Sequence, residues 1–280
     1  MVRDFLHFRD SSNITVEGKG QVEGGGYDWW VREYKKQNPN GRPHMLVMER
    51  VQTAEIEGVR FTNSPRWHLK LTDVDSVLVH DLEIFVSILK QKDPLKKHHP
   101  FVTYTLGKVL EAVPELAAFV SQSELSIPTN PANTDGIDPA GSNITIRNVN
   151  ITNFNDAISV KHSDKASVVA RDGCTQDILV EHVNVMFSEG MAVGSVAPSA
   201  DHRCARRVTF RDVKLEWPIK SIYVKTNPGD EGSGEISDLL FENFRMHNPI
   251  WWNIYIGPQQ LKQHHDAGCL IYPFGSCKTQ

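Results

Sequence analysis

The chain has 280 residues, with 30 Lys and Arg against 34 Asp and Glu for a formal charge of −4, and 40% of its residues are hydrophobic. That length can bury a sizeable core, as one large domain or as a solenoid. The mild acidity gives no basic footprint for nucleic acid, and no stretch of 18 apolar residues offers a membrane span.

Residues 1–10 carry Asp4 and Asp10 and lack an apolar central stretch, so they do not read as a signal peptide. Residues 12–26, SNITVEGKGQVEGGG, alternate apolar and polar before breaking on glycines, which predicts strand and turn rather than helix. The glycines from Gly18 to Gly26 are followed by no Gly-Lys-Ser/Thr, so they are not a phosphate loop. Trp29, Trp30 and the polar stretch 31–42 read as a loop. Residues 89–130 read as an insertion: a basic loop, then apolar residues from Leu106 to Val120 at helical spacing, broken by Pro114. The packed helix is placed near 101–122. The adjacent pairs His98-His99 and His264-His265 read as solvated side chains, and no metal or organic cofactor is expected.

Around this insertion one nine-residue pattern recurs. It reads TAEIEGVRF at 53–61, SVLVHDLEI at 76–84, NITIRNVNI at 143–151, DILVEHVNV at 177–185, RVTFRDVKL at 207–215 and DLLFENFRM at 238–246. The first two copies start 23 residues apart and the last three 30 and 31 apart. A repeat of this size marks stacked units, each too small to bury its own apolar face. Within each copy the apolar residues keep period two, break at one polar residue and resume. That describes strand, tight bend and strand, and hence a parallel β-helix whose coils stack about 4.8 Å apart. Asn148, His182, Asp212 and Asn243 fall at the bend, where Asn and Asp tolerate left-handed backbone.

The phase of the repeat predicts which residues share a face. Counted from Val149, Val183 and Val213, Asn155 and Glu189 stack, Asp156 lies beside them, and Lys161 and Lys225 line the same wall. Ionisable residues gathered at one phase of a solenoid predict a binding groove. Four cysteines allow three pairings; Cys174–Cys204 and Cys269–Cys277 are the local choice, and neither has zinc spacing. With sequons at Asn13, Asn143 and Asn150, they predict an oxidising compartment and a glycoprotein.

The chain resembles the polygalacturonase family of glycoside hydrolases, family 28. The likeness rests on Gly18-Lys19-Gly20, Gly24-Gly25-Gly26 with Trp29-Trp30, Asn63-Ser64-Pro65-Arg66-Trp67, Asn133-Thr134-Asp135-Gly136-Ile137-Asp138, and Lys225-Thr226-Asn227-Pro228-Gly229, in that order. The resemblance implies a right-handed parallel β-helix spanning residues 1–280 as one all-β domain, here without the family's N-terminal cap and last coils. It also implies an extracellular, monomeric enzyme that hydrolyses α-1,4-galacturonosyl bonds of pectic polysaccharide with inversion. Asp135 and Asp156 match the pair that activates water, and Lys225 matches the lysine that binds a substrate carboxylate. Asn133, Asn155, Lys161 and Tyr223 are the further substrate-binding candidates. Three positions depart from the family: Asn155 stands where a proton-donating Asp is usual, Ser188-Glu189-Gly190 replaces Gly-His-Gly, and Tyr223 replaces an Arg. Glu189 stacks on Asn155 and is the expected acid. The rival readings are an inactive pectin-binding homologue and a hydrolase of a rhamnose-containing pectin.

Overall fold

The computed structural model describes residues 3–34, 36–87, 131, 133–163, 173–196, 203–226 and 234–258. The insertion at 89–130, its helix, both His-His pairs and the Cys269–Cys277 pair lie outside the described residues.

Among the described residues, thirteen strands and one short helix follow one another as β1 (Leu6–Glu17), β2 (Gln21–Glu23), α1 (Gly26–Tyr34), β3 (Leu46–Glu57), β4 (Arg60–Thr62), β5 (Leu69–Phe85), β6 (Ile137–Asn153), β7 (Asp156–Val160), β8 (Cys174–Phe187), β9 (Gly190–Val196), β10 (Arg203–Glu216), β11 (Ile222–Thr226), β12 (Gly234–His247) and β13 (Ile254–Pro258). Every pairing among them is parallel and joins one coil to the next. This is the right-handed parallel β-helix.

The repeat explains the register. Ala54, Val77, Ile144, Ile178, Val208 and Leu239 pair in series from β3 to β12, and Ile56, Val79, Ile146, Val180, Phe210 and Phe241 form the next series. These rows face inward and make one continuous core, in which each fully buried Ile or Val contributes about 1.5–3 kcal/mol. Phe210 stacks on Phe241 with ring centres 5.2 Å apart. Toward the two ends the rows become half-buried, at Phe8, Ile14 and Val16 and at Leu239, Phe244 and Met246.

The bends lie where the pattern places them: Asn148, His182, Asp212 and Asn243 have φ of 52°, 54°, 54° and 53°. A second stack opens each repeat, at Asn143, Asp177, Arg207 and Asp238, with φ of 53°, 58°, 50° and 52°. So each copy of the pattern carries a bend at its first residue as well as its sixth.

Residues 26–34 overturn the loop expected there. They form α1, with Asp28 in its first turn and Arg32 in its last, as the helix dipole favours. Trp30 is buried against Val86, and Tyr27 meets it edge-on at 5.5 Å, one turn earlier. The helix is only nine residues long, too short to show a long periodic apolar stripe in the sequence. The Cys174–Cys204 disulfide is present and joins the first rungs of β8 and β10. Asn143 and Asn150 spend their side chains on neighbouring coils, Asn143 donating to Asp75 and Asn150 accepting from Asn184.

Candidate active site

One wall of the helix is built from the starts of β5 and β6 and from β7, β9, β11 and β13. Its inward rung runs Leu69, Ile137, Ile158, Met191, Ile222, Ile254. The adjacent outward rung pairs Lys70 with Asp138, Ser159 with Ala192, Ala192 with Tyr223 and Tyr223 with Tyr255. Alternation along a strand turns this row away from the core, and it carries the site.

Two loops deliver the aspartates. Gly136 has Ala157's carbonyl oxygen 2.3 Å from where a Cβ would stand, so only glycine lets Asp135 come this close to Asp156. The Asn153 amide is wholly buried and donates to the carbonyls of Thr134 at 3.0 Å and Asp156 at 2.8 Å, tying both loops together. His68 is also wholly buried. Its Nε2 accepts from the Ser64 N–H at 3.3 Å, which leaves the proton on Nδ1, 3.0 Å from the Asp135 carbonyl. Burial lowers its pKa to about 4, so it stays neutral while it fixes the loop.

Asp135, Asp138 and Asp156 are 3%, 1% and 1% exposed. Among the described residues, Oδ1 of Asp135, both side-chain oxygens of Asp138 and Oδ1 of Asp156 accept no hydrogen bond. Two lysines approach these acids, Lys161 from the end of β7 itself and Lys225 from β11, two coils on. Lys225 Nζ donates to Asp156 Oδ2 at 2.5 Å, and Lys161 Nζ lies 3.8 Å from both Asp156 and Asp138. Ser159 accepts from Lys161 at 2.8 Å and donates to the Gly194 carbonyl, which holds that lysine in the groove. Lys161 also lies 5.4 Å from the centre of the Trp67 ring.

These neighbours push the acids apart. Burial raises Asp135 well above the usual carboxylate value, and the charges of Asp138 and Asp156 add to it. Burial also raises Asp138, to about 6, against the pull of Lys161. Burial alone would raise Asp156, but Lys225 and Lys161 together hold it below the usual value. Burial works against the charge of Lys225, yet Asp156 and Glu189 keep it above its ordinary value. Glu189 is half-buried one coil on; burial and the Asp156 charge raise it, while Lys220 and Lys225 pull the other way.

The stacking expected of Asn155 and Glu189 is present: the Glu189 N–H donates to the Asn155 carbonyl at 2.8 Å, and Ser188 Oγ donates to the same oxygen. Gly190, at φ 92°, has the Lys220 carbonyl 2.1 Å from its would-be Cβ, and so presses the Glu189 turn onto the coil that carries Lys220. Tyr223 is buried, and its ring lies beneath two ammonium groups, Lys220 at 4.2 Å and Lys225 at 4.5 Å. Asn133 sits in an exposed turn at φ 56°, and its Oδ1 accepts from Arg42 Nη2 at 3.2 Å.

Sequence reasoning promoted neither Asp138 nor Lys220 nor Trp67 to the site. Asp138 was visible as the second acid of Asp135-Gly136-Ile137-Asp138, three residues apart. Asn153 had no usable signal, since a buried amide bonding two loop carbonyls looks like any other strand asparagine. For a metal, Glu55, Glu57 and His80 offer ligand atoms within 4.8 Å of one another, away from this wall. Asp81 and Glu55 already take both His80 ring nitrogens, so ion pairing accounts for that group.

The profile of glycosyl hydrolases family 28 matches residues 2–265. A probable polygalacturonase of Arabidopsis thaliana is 24% identical over 88% of this chain and 44% of its own length. Rhamnogalacturonase A of Aspergillus niger is 32% identical over 86% of this chain and 38% of its own length. The chain thus spans less than half the length of these two relatives. Among solved structures, a polygalacturonase of Erwinia carotovora superposes with a TM-score of 0.64 at 19% identity, covering 92% of this chain and 58% of the other. An endo-xylogalacturonan hydrolase of Aspergillus tubingensis superposes at 0.60 and 19% identity, covering 88% and 56%. The fold is therefore shared, and with the profile match across nearly its whole length the chain belongs to glycosyl hydrolases family 28.

Proposed function

We propose that this protein hydrolyses galacturonosyl bonds of pectic polysaccharide with inversion, using Glu189 as acid and Asp156 with Asp135 as the water-activating pair. The observation that carries this reading is the separation of protonation states within one groove. Asp156 is held ionised by Lys225, while Asp135 and Glu189 are pushed toward their protonated forms. Carboxyls with opposed protonation preferences are what acid/base glycoside hydrolysis requires.

In this mechanism Glu189 gives its proton to the glycosidic oxygen as the bond from that oxygen to the anomeric carbon breaks. Water held between Asp135 and Asp156 attacks the anomeric carbon from the opposite face, and Asp156, the ionised member, takes its proton. The products are a shortened chain and a sugar with inverted anomeric configuration. Asn155 has an amide and cannot supply the acid. Of the four acids, Glu189 is the one only half-buried, which suits a group that must reach a glycosidic oxygen. Lys225 binds a uronate carboxylate; on turning to it, the lysine relaxes its hold on Asp156 and leaves that carboxylate a stronger base. Binding of an anionic polymer also fits Lys161, Lys70 and Arg66 gathered around the Trp67 face. The Cys174–Cys204 disulfide supports an extracellular setting, and no described helix is long and apolar enough to cross a membrane.

Reducing-end release from de-esterified homogalacturonan tests the reading. Activity is expected on the acidic side, falling as pH rises through the raised Glu189 pKa, and Glu189→Gln should cost about 10²–10⁴ in kcat. Unchanged turnover in that variant overturns the acid assignment. Binding without any release would make this a pectin-binding homologue. A second reading, a backbone in which rhamnose alternates with galacturonate, is favoured by the 32% identity to a rhamnogalacturonase.

A further inference from the structure

We propose that Lys220 is a second carboxylate-binding cation, and that it pairs with Lys225 to select two consecutive uronate residues. The inference rests on the functional reading above and narrows it to a substrate class.

Lys220 is only 4% exposed. Its ammonium has three donors and, among the described residues, neither a hydrogen-bond acceptor nor a carboxylate within ion-pair distance. It lies instead over two ring faces, 4.2 Å from the centre of Tyr223 and 5.5 Å from that of Trp251. A buried ammonium is costly unless paired, and ring faces compensate only a part of that cost. Burial accordingly lowers its pKa against the attraction of Glu189 and Asp156. The charge is therefore held, incompletely satisfied, at the edge of the groove.

Its position defines what it meets. Lys220 and Lys225 are 4.2 and 4.5 Å from one ring centre, Tyr223, so their ammonium groups are at most 8.7 Å apart. Two neighbouring sugar rings cover such a span. Beyond Lys220 the rings continue: Trp251 stacks on Trp252 at 4.5 Å, and Trp252 on Tyr255 at 5.3 Å. Trp251 is 47% exposed, which leaves a face on which a sugar ring can stack. Two cations and an aromatic face in series fit a run of uronates. A backbone with a neutral sugar at every second position would satisfy one cation and leave the other unpaired. Tyr223 has no charge of its own, and Lys220 supplies a positive group over its ring.

The test compares kcat/KM for an oligomer of galacturonate alone with that for an oligomer alternating galacturonate and rhamnose. Wild type should prefer the first. In Lys220→Met the preference should fall roughly ten- to a hundredfold, through KM, because one charge-assisted contact is lost. Lys220→Arg should restore most of it, and near-ultraviolet circular dichroism shows whether each variant is folded. An unchanged preference in Lys220→Met, or a wild type that prefers the alternating oligomer, overturns the inference while the hydrolase reading stands. So does a loss in kcat alone with a shifted alkaline limb, since Lys220 would then act only through Glu189. Should wild type bind without turnover, the ratio of dissociation constants decides the inference by itself, and the catalytic assignment fails separately. A wild type that neither binds nor cleaves either oligomer overturns both.

Discussion

The same coils carry acids on two faces, and they treat them in opposite ways. At the bends three acids meet a partner from the next coil: Asn148 donates to Asp81, Asn243 to Asp212, and Arg207 grips Asp177 with two nitrogens. Asp81 and Asp177 are lowered, chiefly by hydrogen bonds from His80 and Arg207. On the groove wall Asp135 and Asp138 are raised by burial, and among the described residues Oδ1 of Asp135 and both side-chain oxygens of Asp138 accept no hydrogen bond. Stacking at a fixed register makes partnering easy, so acids left unpartnered beside it are kept for chemistry rather than for the fold.

The largest expected effect breaks this contrast at Asp156. Asp156→Asn should lower kcat by about 10²–10⁴. Because the change also strips the counter-charge from buried Lys225, it should cost about 3–5 kcal/mol of stability. The matching change at the bend, Asp177→Asn opposite half-exposed Arg207, should cost less than about 1 kcal/mol. Denaturant unfolding of both variants checks the difference; equal losses would mean that the groove is no more strained than the surface.

Asp138 sharpens the contrast through pH. Its folded pKa is about 6 against an ordinary 3.8, so the folded protein binds the proton more tightly than the unfolded chain. Stability from this group is complete below 3.8 and is lost as pH rises through about 6. Asp138→Asn should therefore leave stability unchanged at low pH and raise it above pH 6 by about 1–3 kcal/mol, while activity falls. Thermal melts of both proteins at the two ends of that range measure it, and a variant that melts below wild type above pH 6 would reverse the assignment.

Much of the fold was legible because stacking writes one pattern repeatedly: Val183, Val213 and Val149 share a row in the sequence and in the structure. The bend at Asn148 was legible from residue type. Its companion at Arg207 was not, since arginine has no special ease at φ 50°, and the neighbouring coils impose that conformation. Asp156, Lys161 and Lys225 were found by counting phase. Counting put Lys220 at the phase of Asp156 without singling it out, and it began at Val149, beyond Asp138; the register also slips on this wall, between Asp156 and Ile158 and between Val224 and Thr226. Bulges re-aim side chains, and they gather where function needs them. Helix α1 was missed because its stability comes from Trp30 seated against Val86, a contact between distant segments.

The bends themselves give the smallest and cleanest test. Asn148 has φ 52° and donates to Asp81 at 3.1 Å on an exposed surface. If the left-handed conformation is what matters there, Asn148→Ala should cost about 1–2 kcal/mol. Asn148→Gly, which adopts that φ freely, should cost nearer 0.5 kcal/mol, roughly its extra chain entropy. If the bond to Asp81 matters more, the two variants lose it alike and should unfold at the same denaturant concentration. A difference between them would show that the bend stack is held by backbone geometry, with its polar ladder added on top. The groove, whose acids have no such geometric excuse, would then stand out as the face where polar residues are kept for what they do.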